Sequence, residues 1–425
     1  MYDLNNTFPI KWPSIIAWCL YDWAAASFPI IVTTFIFATY FTTTIAPNKI
    51  MGTYQWANAT AIAGAIIAVF SPLFGAIADY SGHHLKWLLC LTALCIMSTA
   101  SLWFAYPAVS ATYFTLTAVV IGTIGFEVSM VFYNAYLPQI VPKSHVGRLS
   151  GIGWGTGYLG GIVALSIVFV LFFKFPPHWL STQHSAQIRI CGPFVALWFA
   201  LFSLPLFFLA PNIDSKTLPI SRAVRSGWTE LMSTLKKLPQ EKNILLYLIA
   251  HMIYTDGLNT LFAFGGIYAA NTYHLTFQEV LLFGITMNIT AGIGAILLGW
   301  LDDFMGSKQT ILISLICLTG LGIPVIFLHS KWLFWISSLF LSLFVGPTQS
   351  ASRSLMVHLI RKQATSTEMF GLYALSGRVT AFLGPWILGS MTLLFNSQRV
   401  GMLTVLIFFI IGGLLLLPVK SKTTH

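Results

Sequence analysis

Eleven stretches of this chain contain no Asp, Glu, Lys or Arg: 23–48, 50–78, 87–126, 149–173, 190–213, 257–278, 280–301, 309–330, 332–352, 379–398 and 400–419. A helix that crosses a bilayer needs about 20 apolar residues, and only helices and closed barrels satisfy their backbone in hydrocarbon. Barrel strands alternate polar with apolar residues, and these stretches do not. They are read as helices. Composition agrees, because 56% of the 425 residues are hydrophobic and 8% are charged, against about 25% charged in soluble domains. The stretch 87–126 suffices for two helices, broken near "AYPAVSATY". With the segments that carry Asp22, Glu127 and Asp256, the expectation is an all-α membrane protein of twelve spans. Their limits fall near 14–44, 54–78, 86–106, 112–138, 149–172, 190–209, 244–270, 277–300, 309–328, 332–357, 367–394 and 399–417.

Orientation follows from Lys and Arg, which stay on the cytoplasmic side. With the N-terminus inside, 15 of the 22 fall on inner loops and tails. Lys49, Lys174, Arg189, Lys331 and Arg399 fall outside, while Arg353 and Arg378 lie within spans. The net charge of +10 is then topology, and no nucleic-acid partner is expected. Span 1 has no small-residue cleavage site and runs past signal length, so it is expected to be retained. The five cysteines, at 19, 90, 95, 191 and 317, lie in or beside spans without paired spacing. They read as small core residues rather than a disulfide or metal framework.

The chain also repeats. "GAIADYSG" (75–82) returns as "GWLDDFMG" (299–306), which pairs Gly75 with Gly299, Asp79 with Asp303 and Gly82 with Gly306. The same offset relates Gly122 to Gly346, Gly147 to Gly371, Gly153 to Gly377, Thr156 to Thr380 and Leu159–Gly160 to Leu383–Gly384. Two six-span halves are expected, 1–210 and 244–425, with 211–243 as a cytoplasmic connection. In that connection Trp228, Leu231, Leu235 and Leu238 follow helical spacing. An interfacial helix and a flexible basic linker both fit.

"GAIADYSGHHLK" resembles the loop between spans 2 and 3 of the major facilitator superfamily, with His83–His84 in place of the usual basic pair. That departure either makes the loop charge depend on pH or has no consequence, and adjacent loop histidines without a third ligand make a poor metal site. "YDWAAASF" (21–28), "FYNAYLPQIV" (132–141), "GRLSGIGWGTGYLGG" (147–161), "YTDGLNT" (254–260), "QSASRS" (349–354) and "FGLYALSGRVTAFLGP" (370–385) are similar to the unknown-major-facilitator family. Its relatives include the autophagy-related vacuolar amino-acid effluxers. The resemblance runs from span 1 to span 11. It implies the major facilitator fold, two pseudo-symmetric six-helix bundles, and secondary transport. One departure is local: Ala25 and Ala26 stand where the family has Asn and Ser, so contacts made by those polar side chains are absent here.

Ionisable groups inside spans are costly and face a cavity or a partner. Here they are Asp22, Glu127, Asp256, Arg353 and Arg378. Asp22 and Asp256 fall at matching places in spans 1 and 7, and such carriers bind cargo and coupling ions near the midplane between repeats. Asp256 shares a helix face with Asn259 and Thr260, and Gln349 shares one with Arg353. The two acids either carry coupling protons or pair permanently with Arg353 and Arg378. The arginines in turn are partners for those acids or for a substrate carboxylate. Glu127, on one face with Asn134, is a cavity acid or a buried hydrogen-bonded one.

Asp79, and by repetition Asp303, reads as a conformational switch together with Gly75, Gly82, Gly299 and Gly306. Thr365 and Glu368 fit a capping box at the start of span 11, a helix N-terminus that attracts Asp79. In the superfamily this loop latches the outward-open state, and the resemblance carries that role to Asp79. Glycines 153, 157, 160 and 161 suit close helix approach.

Enzyme readings fit poorly. An intramembrane aspartyl protease needs G-x-G-D, whereas Asp256 follows Tyr254–Thr255, and "DDFMG" lacks the third acid of a prenyl transferase. Nothing resembles a channel filter, and a receptor that no longer transports remains an alternative. The expected function is alternating-access transport of a small organic solute, an amino acid by resemblance, with proton coupling. The alternative cargo is a larger amphiphile such as a siderophore or drug. No cofactor or metal is expected. A monomer in a bacterial inner membrane, with both termini cytoplasmic, completes the expectation.

Overall fold

The computed structural model describes residues 11–178, 180, 183–211, 218–360 and 366–420. Among these, eleven helices are long and apolar enough to cross a membrane. Spans 1–6 are Trp12–Ile45, Tyr54–Ser81, His84–Phe104, Val109–Ile140, Lys143–Lys174 and Gln183–Leu209. Spans 7–10 are Lys242–Ala270, Leu282–Met305, Ser307–Phe327 and Lys331–Leu359, and span 12 is Gln398–Leu416. Span 11 differs from the continuous helix expected over 367–394. It is built from two pieces, Ser366–Ser376 and Leu383–Phe395, joined by a turn segment at 377–382. The first piece alone is too short to cross hydrocarbon. The two together make the twelfth crossing.

The spans form two six-helix bundles. Span 5 runs along span 8, and span 2 runs along the first piece of span 11. Small residues let these helices approach. A Cβ added at Gly75 would lie 2.5 Å from the Thr367 carbonyl, and one at Gly151 would collide with the Ala295 carbonyl. Further along the same helices, Gly64 of span 2 and Gly284 of span 8 meet nothing within 4 Å. The bundles therefore touch at the end that holds the 82–83 and 306 turns and separate toward the other end.

Span 1 widens into π-helix at Phe28–Phe35 and again at Phe41–Ile45, a geometry often found at functional sites. The connection between bundles contains a helix, Ile220–Lys237. It lies against span 2, where a Cβ at Gly227 would meet Ile77 N at 2.8 Å, and Tyr80 donates to Glu230 Oε2 at 2.9 Å.

Candidate functional site

Arg353 lies on the second helical piece of span 10, Val345–Leu359, and is 2% exposed. A guanidinium there must spend its five N–H donors within the protein. Its Nε donates to Ser150 Oγ at 2.9 Å and its NH2 to the Ser150 carbonyl at 2.7 Å. NH1 donates to Asn134 Oδ1 at 3.2 Å and to Asp22 Oδ2 at 3.4 Å. The same Asp22 oxygen accepts from Tyr133 Oη at 3.1 Å. Trp18 stacks on Tyr133 with centroids 4.5 Å apart, and the guanidinium lies 4.7 Å from the Trp18 ring, a cation–π geometry. Spans 1, 4 and 5 of one bundle thus enclose an arginine of the other.

A second ion pair also crosses between bundles. Arg378, inside the break of span 11, donates through NH2 to Glu127 Oε1 of span 4. These side chains are 38% and 21% exposed, whereas Arg353 is buried. Nearby on spans 5 and 10, Tyr158 donates to Gln349 Oε1 at 2.6 Å.

Of the two alternatives left open for the acids, pairing with Arg353 is found for Asp22, whereas Asp256 joins neither arginine among the described residues. Both arginines are taken by acids of the opposite bundle, because the repeat axis brings spans 10 and 11 against spans 1 and 4. Asp256 is 2% exposed. Its Oδ2 accepts from Gly384 N at 3.2 Å, and Oδ1 has no hydrogen-bond partner among the described residues. Thr260 is buried and donates to the Asp256 carbonyl at 2.7 Å, while Asn259 is half-buried.

At the closed end Asp79 accepts from Thr367 N at 3.3 Å, from Glu368 N at 2.9 Å and from His84 Nε2 at 2.9 Å. Its carboxylate meets the first N–H groups of span 11, where helix geometry leaves donors unpaired. Thr365 of the expected capping box lies outside the described residues. Asp303 repeats the arrangement on span 5, accepting from Gly147 N at 2.8 Å and Arg148 N at 3.2 Å, with Arg148 Nε at 2.9 Å. Gly82 and Gly306 end their helices at φ of 70° and 93°, which glycine adopts without steric cost. Gly299 sits where a Cβ would lie 2.9 Å from the Gly147 carbonyl. Among the described residues no group of His, Cys, Asp and Glu is placed to hold a metal.

Trp18, Tyr133, Ser150 and His251 escaped the sequence reading. Trp18 lies one helical turn before Asp22, and Tyr133 adjoins Asn134, so spacing on an acid-bearing helix is the signal that points to them. His251 is buried in span 7 and shares a hydrogen bond with Ser376 Oγ through Nδ1 at 2.7 Å. No spacing rule would have singled out Ser150.

Comparison with known proteins matches the model of the family described as "Vacuole effluxer Atg22 like" to residues 57–424. The uncharacterized MFS-type transporter YxiO of Bacillus subtilis is 24% identical over 412 residues, covering 96% of this chain and 95% of that protein. Autophagy-related protein 22 of Kluyveromyces lactis is 22% identical over 342 residues, covering 73% of this chain and 68% of its own length. Among solved structures, the transporter FucP in the outward conformation superposes with a TM-score of 0.76 at 15% identity, covering 96% and 99% of the two chains. The proton:xylose symporter XylE gives 0.72 at 13% identity, covering 96% and 95%. At these identities the structural likeness concerns the fold.

Proposed function

The chain belongs to the vacuole effluxer Atg22-like family of major facilitator transporters, and we propose that it carries an amino-acid zwitterion bound between Glu127 and Arg378. The partly exposed ion pair between these two residues carries the reading. A carboxylate and an ammonium group held on one carbon match an arginine and a glutamate that already meet. The substrate carboxylate takes Arg378 bidentately, and the ammonium group takes Glu127. Breaking a partly exposed pair costs on the order of 0–1 kcal/mol, which two new charge-assisted bonds offset. Because the pair spans both bundles, a bound zwitterion bridges them and ties binding to their relative movement. Arg353, with its donors already engaged, serves as a fixed anchor.

Movement is driven by protons in this reading, with 1–210 and 244–425 as the moving halves. The closed end is cytoplasmic, and the conformer faces outward. The carrier acts as a monomer in a bacterial inner membrane, and both termini are inside. Orientation is tested by cysteine labelling: Lys331→Cys reacts from outside, whereas Lys308→Cys reacts from inside only.

Cargo is tested by thermal shift across a metabolite panel, followed by flux into proteoliposomes. Amino acids should stabilise the protein, and Arg378→Gln should weaken their binding at least about tenfold, the loss of a charged hydrogen bond. Stabilisation by a bulky amphiphile and by no amino acid would move the assignment to the larger cargo.

A further inference from the structure

Between Ser376 and Leu383 the backbone of span 11 leaves the α-helix. Arg378 N bonds to the Leu375 carbonyl, Ala381 N to Arg378, and Leu383 N to Thr380, at 3.0, 3.2 and 2.7 Å. These bonds reach back three residues, while Val379 N still reaches back four, to the Leu375 carbonyl at 3.0 Å, so the segment is a series of turns rather than a continuous α-helix. Two titratable side chains of span 7 hold its ends, His251 through Ser376 Oγ at 2.7 Å and Asp256 through Gly384 N at 3.2 Å. The second piece of span 11 begins without a side-chain cap of its own. Asp256 therefore caps it from the neighbouring span. Contact is close enough to require glycine, since a Cβ at Gly384 would collide with Thr260 Oγ1 and lie 3.1 Å from Asp256 Oδ1.

Among the described residues no cation pairs with the carboxylate. Of the arginines on elements packed against span 7, Arg353 holds Asp22, Arg378 holds Glu127, and Arg399 meets His329 at 2.9 Å. Tyr254 on its own span bonds Ser352, and Tyr373 of span 11 stacks on His251. The acids of span 8 lie at that helix's ends, Glu279 paired with Lys331 and Asp303 with Arg148, with Asp302 beside it. Glu368 lies in the first turn of span 11. What faces Asp256 is a half-helix N-terminus, whose partial positive charge favours an anion. One carboxyl oxygen of this buried acid is left without a partner among the described residues.

We propose that Asp256 is the proton-binding site of the carrier and that it works the break in span 11 as a hinge; this rests on the proton-coupled reading above. As a carboxylate, Asp256 holds Gly384 and the turned segment in place. A proton from water on the open side converts it to the acid and removes the charge that the half-helix attracts. Gly384 N–H then loses its anionic acceptor and the segment relaxes. Arg378, inside that segment, moves away from Glu127. Uptake of the proton and opening of the substrate pair become one event, and the proton later leaves to water on the opposite side. No electrons move.

The test uses the full chain in nanodiscs, with native cysteines replaced and nitroxides at Trp332→Cys and Leu393→Cys, both exposed and both in the second bundle. The ratio of two distance populations should change about tenfold from alkaline to acid pH, the effect of losing one charged hydrogen bond. Asp256→Asn should hold the acid population at every pH, and Asp256→Glu should keep the response with a displaced midpoint. An unchanging distribution in the native sequence, or the same response in Asp256→Asn, overturns the proposal. If Asp256→Asn does not fold, an undisplaced midpoint in Asp256→Glu overturns it. A shift driven by sodium at fixed pH overturns it as well and makes the site one for a metal cation. Calorimetry of amino-acid binding is run separately. Binding without a titrating hinge sinks this inference alone, and a titrating hinge without binding sinks the cargo alone.

Discussion

Spans 5 and 11 are copies of one element, and Asp22 and Asp256 face them from equivalent helices, yet the two settings have diverged. On span 5 the helix is unbroken from Val146 to Val168, and Gly160 packs so close that a Cβ would collide with the Trp23 carbonyl. On span 11 the matching Gly384 opens a new helix after a break, and its N–H is held by Asp256. Asp22 has spent its charge on Arg353 and Tyr133, and the position matching Arg353 in the first bundle is Ser129, which accepts from Tyr21. One copy is thus an ion pair between bundles and the other an acid without a cation among the described residues. The repeat supplies two equivalent places for a carboxylate. On the reading proposed above, divergence leaves the second acid to titrate while the Asp22–Arg353 anchor between bundles stays intact.

The contrast is most exposed to failure at Arg353. Arg353→Gln leaves Asp22 buried and unpaired, so about 3–5 kcal/mol of stability should be lost, visible in thermal unfolding in detergent. Arg353→Lys should recover little, because an ammonium group cannot reach Ser150, Asn134 and Asp22 in one plane. Near-native melting of Arg353→Gln would remove the anchor and, with it, the distinction between the acids.

Asp79→Asn should cost about 1–2 kcal/mol through its two helix N–H bonds. The loss should fall on the closed conformer and raise labelling of cysteines placed between spans 2 and 11. Asp303→Asn should do less, since its Arg148 partner is 48% exposed and screened by water. Equal effects would show that the two acid-to-helix contacts are interchangeable.

Asp256→Asn should change stability by no more than about 1 kcal/mol, because it strands no cation among the described residues and replaces the charged acceptor of Gly384 N–H by a neutral one. It should abolish accumulation driven by a pH gradient while sparing counterflow exchange, which needs no net proton movement. Gradient-driven uptake at the native level in this variant would return Asp256 to a structural role. Smallest in stability is Arg378→Gln, about 0–1 kcal/mol, with its effect confined to binding. A large drop in melting temperature would instead group this pair with Arg353.

Twelve spans, the two-bundle repeat and the acids and glycines at the turns after spans 2 and 8 were legible in the chain itself. Lipid allows few charges, and a turn such as that at Gly82 allows few residues, so each acid, arginine or glycine that persists carries information about its surroundings. Even the face shared by Asp256 and Thr260 follows from helical spacing alone. Which acid meets which arginine did not follow, because Asp22 and Arg353 are separated by most of the chain and touch only when two bundles close upon each other. The break in span 11 was equally hidden. Residues 377–382, Gly-Arg-Val-Thr-Ala-Phe, contain no proline, so the chain carries no strict helix breaker there. Packing against span 7 decides otherwise, where Asp256 takes the Gly384 N–H and the buried His251 holds the Ser376 hydroxyl.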